Sequence, residues 1–225
     1  MNALRIDRRS VYRTLSIGLA LLAALGGLNA LCGHALGLEP LRFIFPGGRS
    51  SGIGPVSSLG LILLGTAAAA LYGEQPLLRW IGRLCGCTVS ALATAALISV
   101  NTGLGGHLLR QLMPAGLSYG SVAPSALINF ALLGAAVCLI DFPRRIVKRL
   151  GGTAITIAAW IAMLTVVGYL YNLQAIGQAG GSGAPMAVNE AVLFFALCVS
   201  VVFSRPDRVG TEEQPLARIR PAHRL

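Results

Sequence analysis

Apolar residues fall into six blocks along the chain, near 14–36, 55–73, 84–103, 122–141, 149–172 and 186–204. Each block is close to the ~20 residues that a bilayer span needs. Short polar turns, Glu74 to Arg83 and Asp141 to Lys148, alternate with longer Gly-rich stretches at 37–54, 104–121 and 173–185. The long stretches hold Pro46-Gly47-Gly48, Met113-Pro114-Ala115-Gly116 and Gly180-Gly181-Ser182-Gly183, which break helix and allow tight reversals. This alternation predicts an all-α integral membrane fold: six transmembrane helices arranged as three hairpins. Residues 1–13 read as a basic N-terminal segment, 14–204 as the membrane domain and 205–225 as a polar, disordered tail.

The hairpins are repeats. Pro55-Val56-Ser57-Ser58-Leu59-Gly60-Leu61-Ile62-Leu63-Leu64-Gly65 opens the second block. Pro124-Ser125-Ala126-Leu127-Ile128-Asn129-Phe130-Ala131-Leu132-Leu133-Gly134 opens the fourth, 69 residues on. Val188-Asn189-Glu190-Ala191-Val192-Leu193-Phe194-Phe195-Ala196-Leu197-Cys198 is a worn third copy, 64 residues further. A fixed period in an apolar chain means one membrane hairpin used three times. Pro55 and Pro124 suit a first helical turn, where a missing N–H costs nothing. Ser57, Ser125 or Asn189 are expected to cap that turn. Gly60, Gly65, Gly134 and Ala191 let helices approach closely. Gly82-x-x-x-Gly86 and Gly33-x-x-x-Gly37 also fit a helix-contact motif, although a chain with 28 Gly yields such matches by chance.

Charge changes the picture twice. Charged residues are only 12% of the chain and the mean hydropathy is +0.72, whereas soluble domains carry about a quarter charged residues. The net charge of +10 raises nucleic acid as a partner, but position argues against it. All Lys and Arg except Arg42, Arg49 and Arg110 lie in four clusters: Arg5 to Arg13, Arg79 and Arg83, Arg144 to Arg149, and Arg205 to Arg224. Basic residues concentrate in cytoplasmic loops, so both termini are expected inside a bacterial cytoplasmic membrane. Six spans and two inside termini agree in parity. The clusters then read as topology anchors facing anionic lipid, with no nucleic acid bound. The N-terminal apolar run is too long for a signal-peptide core and is read as a retained first span.

Candidate chemistry is sparse. Asn29, Asn101 and Asn172 recur near the outer ends of the odd spans and either line a shared outward-facing cavity or cap helix ends at the interface. His34 and His107 are expected on the same side, and Glu190 at the outer first turn of the sixth span, where the helix dipole favours negative charge. These six are the ligand-sensing candidates. Asp141 at the inner face is expected to pair with Arg144 and Arg145. Cys85-Gly86-Cys87 is a lone CxC pair, and Cys32, Cys138 and Cys198 read as packing residues. No catalytic constellation, metal site or cofactor is expected.

One resemblance sharpens this reading. Besides the thrice-used opening pattern, Asp141-Phe142-Pro143-Arg144-Arg145, Gly168-Tyr169-Leu170-Tyr171, Met186-Ala187 with Ala191, Val192 and Phe194, and Arg205-Pro206-Asp207-Arg208 follow in order. Together, over roughly residues 14–210, these stretches resemble the membrane input region of bacterial sensor proteins. That region stands ahead of PAS, histidine-kinase or diguanylate-cyclase modules. Glu190 stands where the family has Thr, and Val209-Gly210 where it has an immediate Gly. The resemblance implies a sensory domain that transmits a signal by helix repacking. Only Thr211 to Leu225 follow Gly210 in this sequence, so the output enzyme is expected either on a separate kinase or cyclase partner or on a module missing from this sequence. A structural protein that self-associates through its Gly and Ala faces, and a small transporter, stand as alternatives.

Overall fold

The computed structural model describes residues 8–42, 52–73, 75–102, 122–140, 145–171 and 186–204. Within them the chain is helical, with no strand. Helix α1 covers Arg8–Ala35, followed by a 3-10 turn at Glu39–Arg42. Helices α2 (Pro55–Ala70), α3 (Pro76–Thr102), α4 (Pro124–Leu139), α5 (Arg145–Leu170) and α6 (Val188–Ser204) follow. Long and short helices alternate. At 1.5 Å per residue the 28 residues of α1 reach about 42 Å and the 16 of α2 only about 24 Å, against a hydrocarbon core of about 30 Å. The stretches Val11–Ala35, Pro76–Thr102 and Ile146–Leu170 are long and apolar enough to cross a membrane.

The short helices form the centre and the long ones the outside. Helices α2, α4 and α6 touch one another, and each long helix fills a groove between two of them. Helix α1 packs on α2 and α6, α3 on α4 and α2, and α5 on α6 and α4. Every long helix thus leans on its own return helix and on that of the preceding hairpin, and α1 against α6 closes the ring. The outward faces stay apolar: Leu22, Leu25 and Leu28 on α1, Leu84 and Ile98 on α3, and Ile157 and Trp160 on α5 are all exposed. Exposed apolar faces on all three long helices are unusual for a water-facing monomer.

Small residues set the separations. A methyl group on Gly65 would lie 2.7 Å from the Ala20 carbonyl oxygen, and one on Gly134 would lie 2.6 Å from that of Gly86. Ala24 and Ser90 are the next neighbours of those two glycines. On the other flank of α3, a methyl on Gly82 would lie 3.0 Å from the Ala67 carbonyl oxygen of α2. The Gly82-x-x-x-Gly86 motif is therefore a true contact: its two glycines serve two different return helices, which spacing alone did not reveal.

The helix ends differ from the sequence expectation in two ways. Helices α1, α3 and α5 begin at Arg8, Pro76 and Arg145 rather than near 14, 84 and 149. The helical backbone continues into the basic turns, where long side chains of this type can carry their charge away from apolar surroundings. Arg79 Nε, for example, donates to the Gly73 carbonyl at 3.0 Å. Second, Gly54 and Ala123 hold the N-cap positions of α2 and α4 in extended conformation, and no side chain caps either helix. Ser57 is buried inside the bundle instead, and Ser58 Oγ donates to the Gly54 carbonyl at 2.8 Å.

Candidate functional site

The three central helices begin at the same end of the bundle, and their matching positions build levels along its centre. The first level is Ser57, Ala126 and Glu190. Leu61, Phe130 and Phe194 form the second, Leu64, Leu133 and Leu197 the third, and Ala68, Val137 and Val201 the fourth. The four-three-four spacing keeps one face of each helix on its neighbours, and none of the twelve is more than 4% exposed. Phe130 and Phe194 meet edge to face at 4.7 Å, which joins α4 to α6. Gly60 faces the Phe130 ring, where a methyl would come within 2.6 Å of Cε1, and this joins α2 to α4.

Below the first level the nine remaining positions are all apolar. The first level and its surroundings are polar. Glu190 is buried close to Ser57 of α2, and its Oε1 has no hydrogen-bond partner among the described residues. Asn129, fully buried on α4, donates from Nδ2 to Met186 Sδ at 4.0 Å, and its Oδ1 likewise has no partner among the described residues. Asn189 is buried beside Glu190. Two buried acceptor oxygens, one on α4 and one on α6, thus lie without a hydrogen-bond partner among the described residues. Burying such groups unsatisfied costs about 1–3 kcal/mol each, and a carboxylate without a cationic partner costs more. The arrangement suits a ligand that donates hydrogen bonds or carries positive charge.

The sequence-predicted residues divide. Glu190, Asn189, Ser57, Met186, Phe130 and Phe194 come together in this core. Gly65 and Gly134 line helix contacts, while Pro55, Pro124 and Ser125 are half-buried at helix starts. Asn29 and Asn101 are not brought together. Asn29 Nδ2 donates to the Leu41 carbonyl at 3.0 Å, and Asn101 Nδ2 to Leu97 of its own helix at 2.9 Å on an exposed face. His34 Nε2 contacts the Ile53 carbonyl at 2.8 Å, which ties the end of α1 to the start of α2. His107, Asp141, Arg144, Asn172, Arg205 and Arg208 lie outside the described residues, as does the Arg145 side chain. Among the described residues no group of three or more His, Cys, Asp or Glu is placed to hold a metal ion.

Three features escaped sequence reasoning. Asn129 was legible as a rare polar residue in an apolar run, but not as a fully buried group beside Met186. Ser16 and Ser200, both fully buried, exchange hydrogen bonds across the α1–α6 seam. Cys87 and Cys138 meet across the α3–α4 seam. No protein-family model, curated protein or solved structure matches the chain.

Proposed function

We propose that the chain is the sensory input domain of a bacterial signalling system, embedded in the cytoplasmic membrane with six spans and both termini inside. The Glu190 cluster responds to the stimulus. Helix α6 carries the change to its inner end, where a kinase or cyclase partner receives it. The observation that carries this reading is the buried, incompletely satisfied polar cluster at the head of the last helix. Half-satisfied networks in a core are costly and sensitive to small rearrangements, and α6 runs directly from that cluster to the other end of the bundle. The basic clusters at every second turn support the orientation, and the exposed apolar faces of α1, α3 and α5 support the lipid surroundings. The resemblance to sensor input regions points the same way.

The test is a photo-cross-linking amino acid at Ser204, the last residue of α6, in the full chain within its native membranes. The reading expects adducts with a protein that carries a kinase or cyclase module, with a yield that changes in Glu190→Gln. The second reading, a small transporter, draws on the same acceptor oxygens in the core. Absence of such adducts, together with solute flux through the purified chain in liposomes, would replace the first reading with the second.

A further inference from the structure

Helices α3 and α4 hold two thiols against each other. Cys87 Sγ lies 2.8 Å from Cys138 Sγ, and Cys138 Sγ also contacts the Arg83 carbonyl at 3.4 Å. The approach follows from the glycine seam. Gly86 precedes Cys87, Gly134 lies one turn before Cys138, and these two glycines bring the helix backbones into contact. A disulfide needs Cα atoms about 4.4–6.8 Å apart and an S–S bond of about 2.04 Å. The close approach of the helices at Gly86 and Gly134 favours the first, and the second asks for a small further movement of sulfurs already adjacent. Cys87 is exposed at the rim of a groove on the outer face of the hairpin, which Ser90, Ala91, Thr94 and Ala135 continue. Small uncharged molecules can reach it there.

The fold does not demand the pair. A matching groove runs between α5 and α6, and there Thr156 and Val202 occupy the two positions. Two thiols at the corresponding place in one hairpin are therefore a local addition to a shared scaffold.

We propose that Cys87 and Cys138 form a reversible thiol–disulfide site, with a peroxide as the oxidant. One thiol attacks a peroxide oxygen to give a sulfenic acid and release water. The other thiol attacks that sulfur, forms the S–S bond and releases a second water. Two thiols and one hydrogen peroxide thus give one disulfide and two waters. The bond locks α3 to α4, the pair whose contact depends on the Gly86–Gly134 approach, and thiol reductants undo it.

The experiment treats the full chain in lipid nanodiscs with hydrogen peroxide, then alkylates, digests and maps all five cysteines by mass spectrometry. The expected result is joint loss of alkylation at Cys87 and Cys138 and a linked peptide from monomeric chain. The intact mass falls by about 2 Da, and dithiothreitol restores it. Cys85, which shares the helix turn, stays alkylatable. In Cys87→Ser and Cys138→Ser, which keep the side-chain size, the remaining partner gives no intramolecular link. Oxidation of Cys87 or Cys138 singly in the native chain, linkage to Cys85 instead, or retention of both free thiols while Cys32 oxidises would each overturn the proposal.

Discussion

Ser16 and Ser200, 184 residues apart, close the ring of helices by exchanging hydrogen bonds. Ser200 Oγ donates to the Ser16 carbonyl at 2.8 Å, and Ser16 Oγ donates to the Ser200 carbonyl. Tyr72 Oη donates to that same Ser200 carbonyl at 3.0 Å, and Tyr12 stacks on Phe203 at 5.5 Å nearby. At the corresponding place Gly82 of α3 lies against Ala67 of α2, and Gly151 of α5 against Ala136 of α4. Two seams are held by bare approach and the closing one by a hydroxyl pair.

Replacing that pair weakens the closing seam selectively. Hydrogen bonds between membrane helices average about 0.6 kcal/mol, so Ser200→Ala lowers the unfolding free energy by roughly that amount. The Ser16→Ala, Ser200→Ala double variant loses less than the sum of the singles, because the two hydroxyls act together. Reversible unfolding of the full chain in mixed micelles measures all three.

Glycine positions divide by what surrounds them. Gly134→Ala forces a methyl to 2.6 Å from the Gly86 carbonyl oxygen, a backbone atom that cannot turn aside, and costs about 1–3 kcal/mol. Gly152→Ala meets nothing within 4 Å in the helical interior of α5 and stabilises by about 0.4–1 kcal/mol. Thermal unfolding of the two variants should move in opposite directions.

The contact between Gly60 and Phe130 offers a rescue. Gly60→Ala collides with the ring edge and destabilises by about 1–3 kcal/mol. Adding Phe130→Leu to that background removes the ring and recovers part of the loss, while Phe130→Leu alone is destabilising. Strictly additive effects would show that the two positions do not meet.

The proposed orientation predicts sidedness. In a chain whose native cysteines are replaced, Leu36→Cys and Tyr171→Cys react with a membrane-impermeant maleimide added outside intact cells. Gln75→Cys, in the turn between α2 and α3, reacts only after the cells are opened. Labelling of Leu36→Cys and Gln75→Cys from the same side would contradict six crossings.

The hairpin repeat and the starts of the short helices were legible in the sequence, because Pro55 and Pro124 mark a first turn by covalent geometry alone. The burial of Asn189 and Glu190 was not, since a polar pair at a helix head suits an interface equally well. Register misled most. Asn29 and Asn101 look like one position repeated, yet Gly65 rests on Ala24 and Gly134 on Ser90. That register sets Asn29 beside the place of Ala95 and carries Asn101 well over a turn further, onto an exposed face. The closing contact of α1 with α6 joins the chain's distant ends through two ordinary serines, and no local pattern announces such a pair. The thiol pair depends in the same way on a backbone approach that sequence spacing does not show.

The central claim is that the polar cluster at the head of α6 governs the position of its other end. Spin labels at Val11 and Ser204, on either side of the Tyr12–Phe203 stack, report that end by pulsed electron resonance in lipid nanodiscs. The account predicts that Glu190→Gln shifts the distance distribution by about 1–2 Å, the size typical of helix shifts, with the helical content unchanged. Superimposable distributions for the native chain and Glu190→Gln would contradict it.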